Sequence, residues 1–308
     1  MNPRSDRPWF FSLLGALLFA GLAAGASVAH PLLELRSADT GSGLLYVGNI
    51  DGKPGLGNIF VYSAGLHSAN PQPLRTLSNG TMRPSGMWVD RFGVLYVTNI
   101  SNGRPSYVDE FRPGQLNPFL RITEGLYNAQ SVAVADDGTV YVNNTGSPDS
   151  FVTVYAPGST HVLRTIDLHL TGYAHAAAQM AFDSSGNLYA SVSLPRSNSF
   201  HVVLIPRGTS FAHPFRTLQN VGGPGLGFDG ADNMYVSSNR GILVFAPGSH
   251  KVLRILPAGG YLTVTRSGIV YALGGKGVAE FAPGGTTPVN TFAIPPSFSF
   301  GVAAGRDR

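Results

Sequence analysis

Met87-Trp88-Val89-Asp90-Arg91-Phe92-Gly93-Val94-Leu95-Tyr96-Val97-Thr98-Asn99 reads as two short extended segments joined by a tight turn. Apolar side chains crowd both halves. The Asp-x-x-Gly between them is turn chemistry, a short acceptor side chain followed by a residue that tolerates positive φ. The second half recurs as Leu45-Tyr46-Val47, Leu95-Tyr96-Val97, Val140-Tyr141-Val142, Leu188-Tyr189-Ala190, Met234-Tyr235-Val236 and Val270-Tyr271-Ala272. These tyrosines fall 50, 45, 48, 46 and 36 residues apart. A period of that length, built of short strands and Gly/Pro/Asn/Asp turns, predicts a β-propeller, whose small sheets bury their faces only against one another.

Downstream of the Tyr segment the same unit supplies a third strand, Tyr107 to Phe111, a turn, Arg112-Pro113-Gly114, and a fourth strand, Phe119 to Thr123. The turn returns as Ala156-Pro157-Gly158, Ala246-Pro247-Gly248 and Ala282-Pro283-Gly284, and in looser form as Pro206-Arg207-Gly208 and Ser63-Ala64-Gly65. Pro presets φ for such a turn and Gly permits the positive φ that follows. The fourth strand returns as Leu74-Arg75-Thr76-Leu77, Leu163-Arg164-Thr165-Ile166, Phe215-Arg216-Thr217-Leu218 and Leu253-Arg254-Ile255-Leu256, an alternation expected of an outer strand with one wetted side. Four strands per unit follow.

The innermost strand carries large apolar residues seven and nine positions before each repeat Tyr, with Trp88, Ala133, Ala181, Gly227 and Thr263 between them. Mostly small residues there suit strands that converge on an axis. The first unit lacks this strand, because Glu34 to Gly43 is polar and Gly-rich, whereas Phe300 to Ala304 has its pattern. The C-terminal segment is therefore expected to complete the first blade and close a ring of six, which removes the open sheet edges. The fold class is all-β, a six-bladed propeller of four-stranded antiparallel blades over residues 44–308.

The 308 residues are 43% hydrophobic and 12% charged, with formal net charge +4, and the basic residues are scattered. No clustered stripe exists to track phosphates, so nucleic acid is not expected as a partner. Residues 1–29 have the three-part layout of a secretory signal, basic then apolar then small, ending Ser27-Val28-Ala29; the alternative is an uncleaved membrane anchor. Residues 30–43 form a leader segment before the propeller. Absence of Cys excludes disulfides, thiol catalysis and a lipid-modified N-terminal Cys. Secretion or a periplasmic location is expected.

Asp90 to Asn99 and Ala135 to Asn144, variations on Asp-x-x-Gly-x-Leu-Tyr-Val-x-Asn, resemble the NHL-repeat and gluconolactonase-like six-bladed propellers. The virginiamycin B lyase family is a similar group built from related repeats. This resemblance covers nearly all of residues 44–305 and implies the fold. It implies little about activity, since lactonases, lyases and pure binding modules share these repeats. Gluconolactonase-like enzymes hold a divalent metal with Glu, Asn and Asp at the channel mouth, and the lyase uses one with His and Glu. The corresponding positions here are Gly86, Ser131, Gln179, Gly225 and Tyr261, none a carboxylate.

Other chemistry is sparse. Asp90, Asp183 and Asp229 sit beside turns and read as turn caps. Asn49, Asn99 and Asn144 share the exit of the second strand, either as ligand-facing amides or as turn residues. His67, His161, His213 and His250 occupy the turn between third and fourth strands, while His169 and His175 lie in the longest connector, with Glu124 and Asp149 as acids expected on the same face. Gly225-Leu226-Gly227-Phe228-Asp229-Gly230 fits the dinucleotide fingerprint, but no helix follows to hold a pyrophosphate. The ligand-binding set read from the sequence is Arg83, Asn99, Tyr127, Gln130, Asn144, Tyr173, His175, Gln179, Arg240 and Tyr261, because Arg forks and aromatic faces suit sugars, peptides or carboxylates. The leading expectation is a monomeric, non-catalytic module for a protein, glycan or small ligand, with no cofactor. Its alternative is a metal-dependent hydrolase or lyase using His175, Gln130, Gln179 and Asn144, the only case in which a divalent metal is expected.

Overall fold

Each Asp-x-x-Gly turn and tyrosine segment belongs to a meander of short strands. The computed structural model describes residues 43–50, 57–65, 71–79, 81, 83–100, 105–145, 150–168, 177–193, 200–215, 223–275, 277–294 and 301–305. In the first blade lie β1 (Leu44–Ile50), β2 (Gly57–Ser63) and β3 (Arg75–Leu77). The second holds β4 (Pro84–Val89), β5 (Leu95–Asn99), β6 (Tyr107–Phe111) and β7 (Leu120–Ile122). The third holds β8 (Ala129–Val134), β9 (Val140–Asn144), β10 (Phe151–Tyr155) and β11 (Val162–Asp167). In the fourth are β12 (Ala177–Phe182), β13 (Leu188–Ser193), β14 (Phe200–Ile205) and β15 (His213–Phe215). The fifth contains β16 (Leu226–Phe228), β17 (Met234–Ser238), β18 (Gly241–Phe245) and β19 (Val252–Leu256). The sixth contains β20 (Tyr261–Val264), β21 (Val270–Gly274), β22 (Gly277–Phe281) and β23 (Asn290–Phe292), and β24 (Val302–Ala304) returns to the first.

Six four-stranded antiparallel sheets result, the first in the order β24-β1-β2-β3. Closure by the C-terminal strand is direct: Leu45, Tyr46 and Val47 pair with Ala304, Ala303 and Val302. Gly48 and Gly305 amides extend the ladder to Gly301 and Leu44 carbonyls. The inner strands β4, β8, β12, β16, β20 and β24 each touch the next, and β24 touches β4, so the ring is continuous. The second-blade inner strand starts at Pro84, earlier than its apolar pattern suggests, and a bulge between Pro84 and Met87 accommodates the extra residues.

The repeated tyrosine explains why the sequence folds this way. Each lies opposite the next-to-last residue of its inner strand, Tyr96 across from Trp88, Tyr141 from Ala133, Tyr189 from Ala181, Tyr235 from Gly227, Tyr271 from Thr263 and Tyr46 from Ala303. Successive residues of one strand feed opposite faces, so Tyr46 joins the cluster shared with the second blade while Leu45 joins the one shared with the sixth. Six such clusters fill the six gaps between neighbouring blades. Burial of each Leu, Val or Tyr is worth about 1.5–3 kcal/mol, and no blade obtains it alone.

Turn acids are structural, as read. Asp90 Oδ1 accepts from the Phe92 and Val94 amides, and Asp183 and Asp229 repeat the arrangement at Asn187 and Asn233. Tyr96, Tyr189 and Tyr235 hydroxyls then donate to the second oxygen of the same three acids. Sequence spacing Asp-x5-Tyr thus locks the turn to the interblade core. Gly93, Gly138, Gly186 and Gly268 take positive φ three residues after the cap position, and in the fifth blade Asp232 does so instead (φ 59°).

Candidate functional site

The inner strands surround an axial channel of ≈ 470 Å³. At the proximal mouth, where these strands begin, glycines let backbones press together. A Cβ on Gly86 would stand 2.5 Å from Ser131 Cα, one on Gly225 2.5 Å from the Gly260 carbonyl, and one on Gly301 would collide with the Ser85 carbonyl. The glycines of the Gly225–Gly230 stretch therefore serve close packing of the fifth blade against the sixth, where Gly227 abuts Val264 and Gly230 the Arg266 carbonyl. Across that thin strand reaches Gln179: its Oε1 accepts from the Leu226 and Leu262 amides, and its Nε2 donates to the Leu262 carbonyl at 2.8 Å. One side chain so ties the fourth blade to the fifth and sixth.

Walls of the channel are aromatic on one side. Phe182 meets Trp88 at 6.2 Å and Tyr141 at 5.4 Å between ring centroids, both edge-on. At the turn mouth, where inner strands pass into the second strands, Asp136, Asp137, Asp183, Asp229, Arg207 and Arg266 line the opening. Arg266 reaches Asp136 at 3.5 Å, a bond between opposite blades across the axis. Asp183 and Asp229 are saturated by turn donors, Asn187 and Asn233 side-chain amides included. Asp137 Oδ1 accepts the Thr139 amide.

Of the residues singled out from sequence, Gln179 and Tyr261 line the channel. Burial raises the Tyr261 phenol pKa above its ordinary value. Gln130 stands beside the proximal mouth, accepting from Ser85 Oγ and donating to Asn128 Oδ1. Asn99 and Asn144 turn into the protein, both 0% exposed. Asn99 Nδ2 points at the Val97 carbonyl and Asp109, and Asn144 donates to Val142 O and Thr153 Oγ1 while accepting the Tyr127 amide. Buried amides in mid-sheet must satisfy themselves locally, so these two are held by the blade itself. The Tyr127 side chain is exposed, Arg240 is exposed in the β17–β18 hairpin, and half-buried Arg83 accepts the Ile100 amide at its carbonyl. Tyr173, His175, His169 and Asp149 lie outside the described residues.

Glu124 bonds His161 Nδ1 at 2.8 Å and accepts the Val162 amide, so among the described residues its carboxylate is held at the outer edge of the third blade. The reason is geometric: β7 has three residues, so the chain leaves the second blade early and crosses the outer strands of the third, where Tyr155 Oη donates to the Glu124 carbonyl. These bonds lower the Glu124 pKa, that from His161 first. Sequence reading did not single out Arg207, Arg266, Asp136 and Asp137; the available signal was that Pro206-Arg207-Gly208 breaks its own repeat.

Donors at the proximal mouth do not fit a hard divalent cation, which wants several oxygens, some of them charged. Ser85, Ser131, Gln179 and Tyr261 are neutral, and the Gln179 oxygen already accepts two amides. Among the described residues no three His, Asp or Glu side chains converge as a cation site.

This architecture is that of a six-bladed β-propeller with a gluconolactonase-like neighbour among solved structures. A gluconolactonase from Xanthomonas campestris important in glucose secondary metabolic pathways matches at TM-score 0.52 and 13% identity, over 82% of this chain and 88% of that one. A protein of unknown function from Bacteroides caccae matches at TM-score 0.59 and 14% identity, over 86% and 99%. TolB from Acinetobacter baumannii matches at TM-score 0.58 and 11% identity, over 88% and 68%. Identities this low speak to the fold alone. No protein-family model matches the sequence, and no curated protein does.

Proposed function

We propose that this chain is an exported, monomeric propeller that binds a small ligand, peptide or glycan in its axial channel without transforming it and without a cofactor. The observation that carries this reading is the channel itself: a cavity of ligand size with an aromatic wall, whose lining carboxylates all hold turns or an arginine. The leader-like residues 1–29 support export, and the scattered charge supports a partner other than nucleic acid.

The gluconolactonase neighbour favours a second reading, a metal-dependent hydrolase or lyase that would use His175, Gln130, Gln179 and Asn144. Elemental analysis and melting curves with Ca²⁺, Mg²⁺, Zn²⁺ or EDTA separate the two. Stoichiometric metal, or stabilisation that EDTA reverses, overturns the binding-module reading, since a ligand specific to the native state raises its stability. Melting curves indifferent to divalent ions, with a shift on adding an organic ligand, support it.

A further inference from the structure

Five of six blades place an apolar residue at the tip of the third-to-fourth-strand turn: Ala64, Pro113, Pro157, Pro247 and Pro283. The fourth blade has Arg207 there. In the third and sixth blades that proline packs on the turn glycine, Pro157 within 3.3 Å of a Cβ built on Gly138 and Pro283 within 3.6 Å of one on Gly268. Arg207 uses its stem the same way, Cδ 3.2 Å from a Cβ on Gly186, and its amide donates to Asn187 Oδ1. The stem replaces a proline ring, and Arg207 lines the channel opening, which none of those prolines does. Among the described residues nothing bonds the guanidinium.

On the neighbouring third blade, Asp137 lines the same opening and its Oδ1 holds only the Thr139 amide. No ion pair joins Asp137 to Arg207. A cation and an anion thus face one mouth from adjacent blades, each with bonding capacity left, above a wall of Trp88, Tyr141 and Phe182. Acids outnumber arginines at this mouth, which disfavours a simple anion. We propose that the turn mouth is a binding site for a zwitterion, an α-amino acid or short peptide with an aromatic or apolar side chain. The carboxylate lies on Arg207, the ammonium on Asp137, and the side chain points down the channel against Trp88. Arg forks match carboxylates bidentately, and two separated charges recognise a ligand better than either alone.

This inference rests on the channel-binding reading, and one titration series tests it. The protein has two tryptophans, Trp9 in the leader and Trp88 in the channel, so Trp9→Phe in the full chain leaves Trp88 as the only indole reporter. Its fluorescence is titrated with L-phenylalanine, 3-phenylpropionate and phenethylamine. Phenylalanine is expected to bind about tenfold more tightly than either singly charged analogue, each charged contact being worth at least one factor of ten. Arg207→Gln should weaken phenylalanine and phenylpropionate about tenfold and leave phenethylamine unchanged. Asp137→Asn, which keeps an oxygen for the Thr139 amide, should weaken phenylalanine and phenethylamine only. Equal affinity for all three probes, or the absence of this crossed pattern, overturns the zwitterion site and leaves channel binding intact. A Trp88 signal that none of the probes moves overturns the zwitterion site, while the channel-binding reading stands or falls on the divalent-ion melting curves.

Discussion

Replacing Glu110 by Gln should stabilise the propeller at pH 8 and leave it nearly unchanged at pH 4.5. Glu110 lies in β6 opposite Tyr96, 3% exposed. Burial first, and the nearby Asp90 carboxylate second, lift its pKa from 4.5 to about 7. Below pH 4.5 the carboxyl is protonated in the folded and unfolded chains alike. Between 4.5 and 7 the folded chain keeps a proton that the unfolded chain has released, so stability falls as pH rises; above 7 the full difference is lost. The rise from 4.5 to about 7 corresponds to about 3 kcal/mol.

Gln mimics the protonated carboxyl in size and neutrality and does not titrate. At about 2–4 °C per kcal/mol for a domain of this size, the variant should melt up to about 6–12 °C above the wild type at pH 8. Thermal melts of the two proteins at pH 4.5, 6 and 8, taken as a difference, cancel the titration of every other group. The infrared carbonyl band of a protonated carboxyl at pH 6 should disappear in the variant. A melting difference that stays constant across pH, of either sign, would refute the reasoning, because a packing change alone carries no proton.

Removing residues 301–308 strips the inner strand from β1 and takes Val302, Ala303 and Ala304 out of two interblade clusters, so melting should fall by about 10 °C or more; an intact transition sinks ring closure by the tail. Gln179→Leu abandons two amides and a carbonyl at the proximal mouth and should destabilise by about 2–4 kcal/mol in urea titration, with no loss meaning that water replaces the bridge. Asp229→Ala removes the acceptor for Ala231, Asn233 and Tyr235 and should lower stability by about 2 kcal/mol, and a neutral result would show that the turn forms without the carboxylate.

What the sequence showed plainly is what repeats. The tyrosine segment recurs in every blade because its backbone always pairs with the inner strand, and in three blades its hydroxyl also bonds the turn acid six residues before it, a local arrangement that spacing reveals. Closure by Val302–Ala304 was readable for the same reason, as a missing strand at one end and a spare one at the other. Gln179 was hidden because its partners lie 47 and 83 residues away, on strands whose approach depends on glycines at 225 and 227. The direction of Asn99 and Asn144 was hidden too. An amide at a strand end looks the same in sequence whether it faces solvent or folds back on Val97 and Val142.

A ring of near-identical blades offers six equivalent mouths to the axis, and symmetry by itself favours none of them. Recognition requires that the symmetry be broken, so the informative positions are those where one blade departs from the other five while keeping their geometry. Trp88 is such a departure at the small inner-strand position, and Arg207 is another at the turn proline. Gln179 stands at a position that varies from blade to blade, and its amide bonds draw strands together at the proximal mouth. Trp88 and Arg207 line one channel, from the second and fourth blades, with the third blade's Asp137 and Tyr141 between them. Trp88 stands on the second blade and Arg207 on the fourth, so the two departures that reach the channel flank the third blade, and that sector is where this ring is least symmetric.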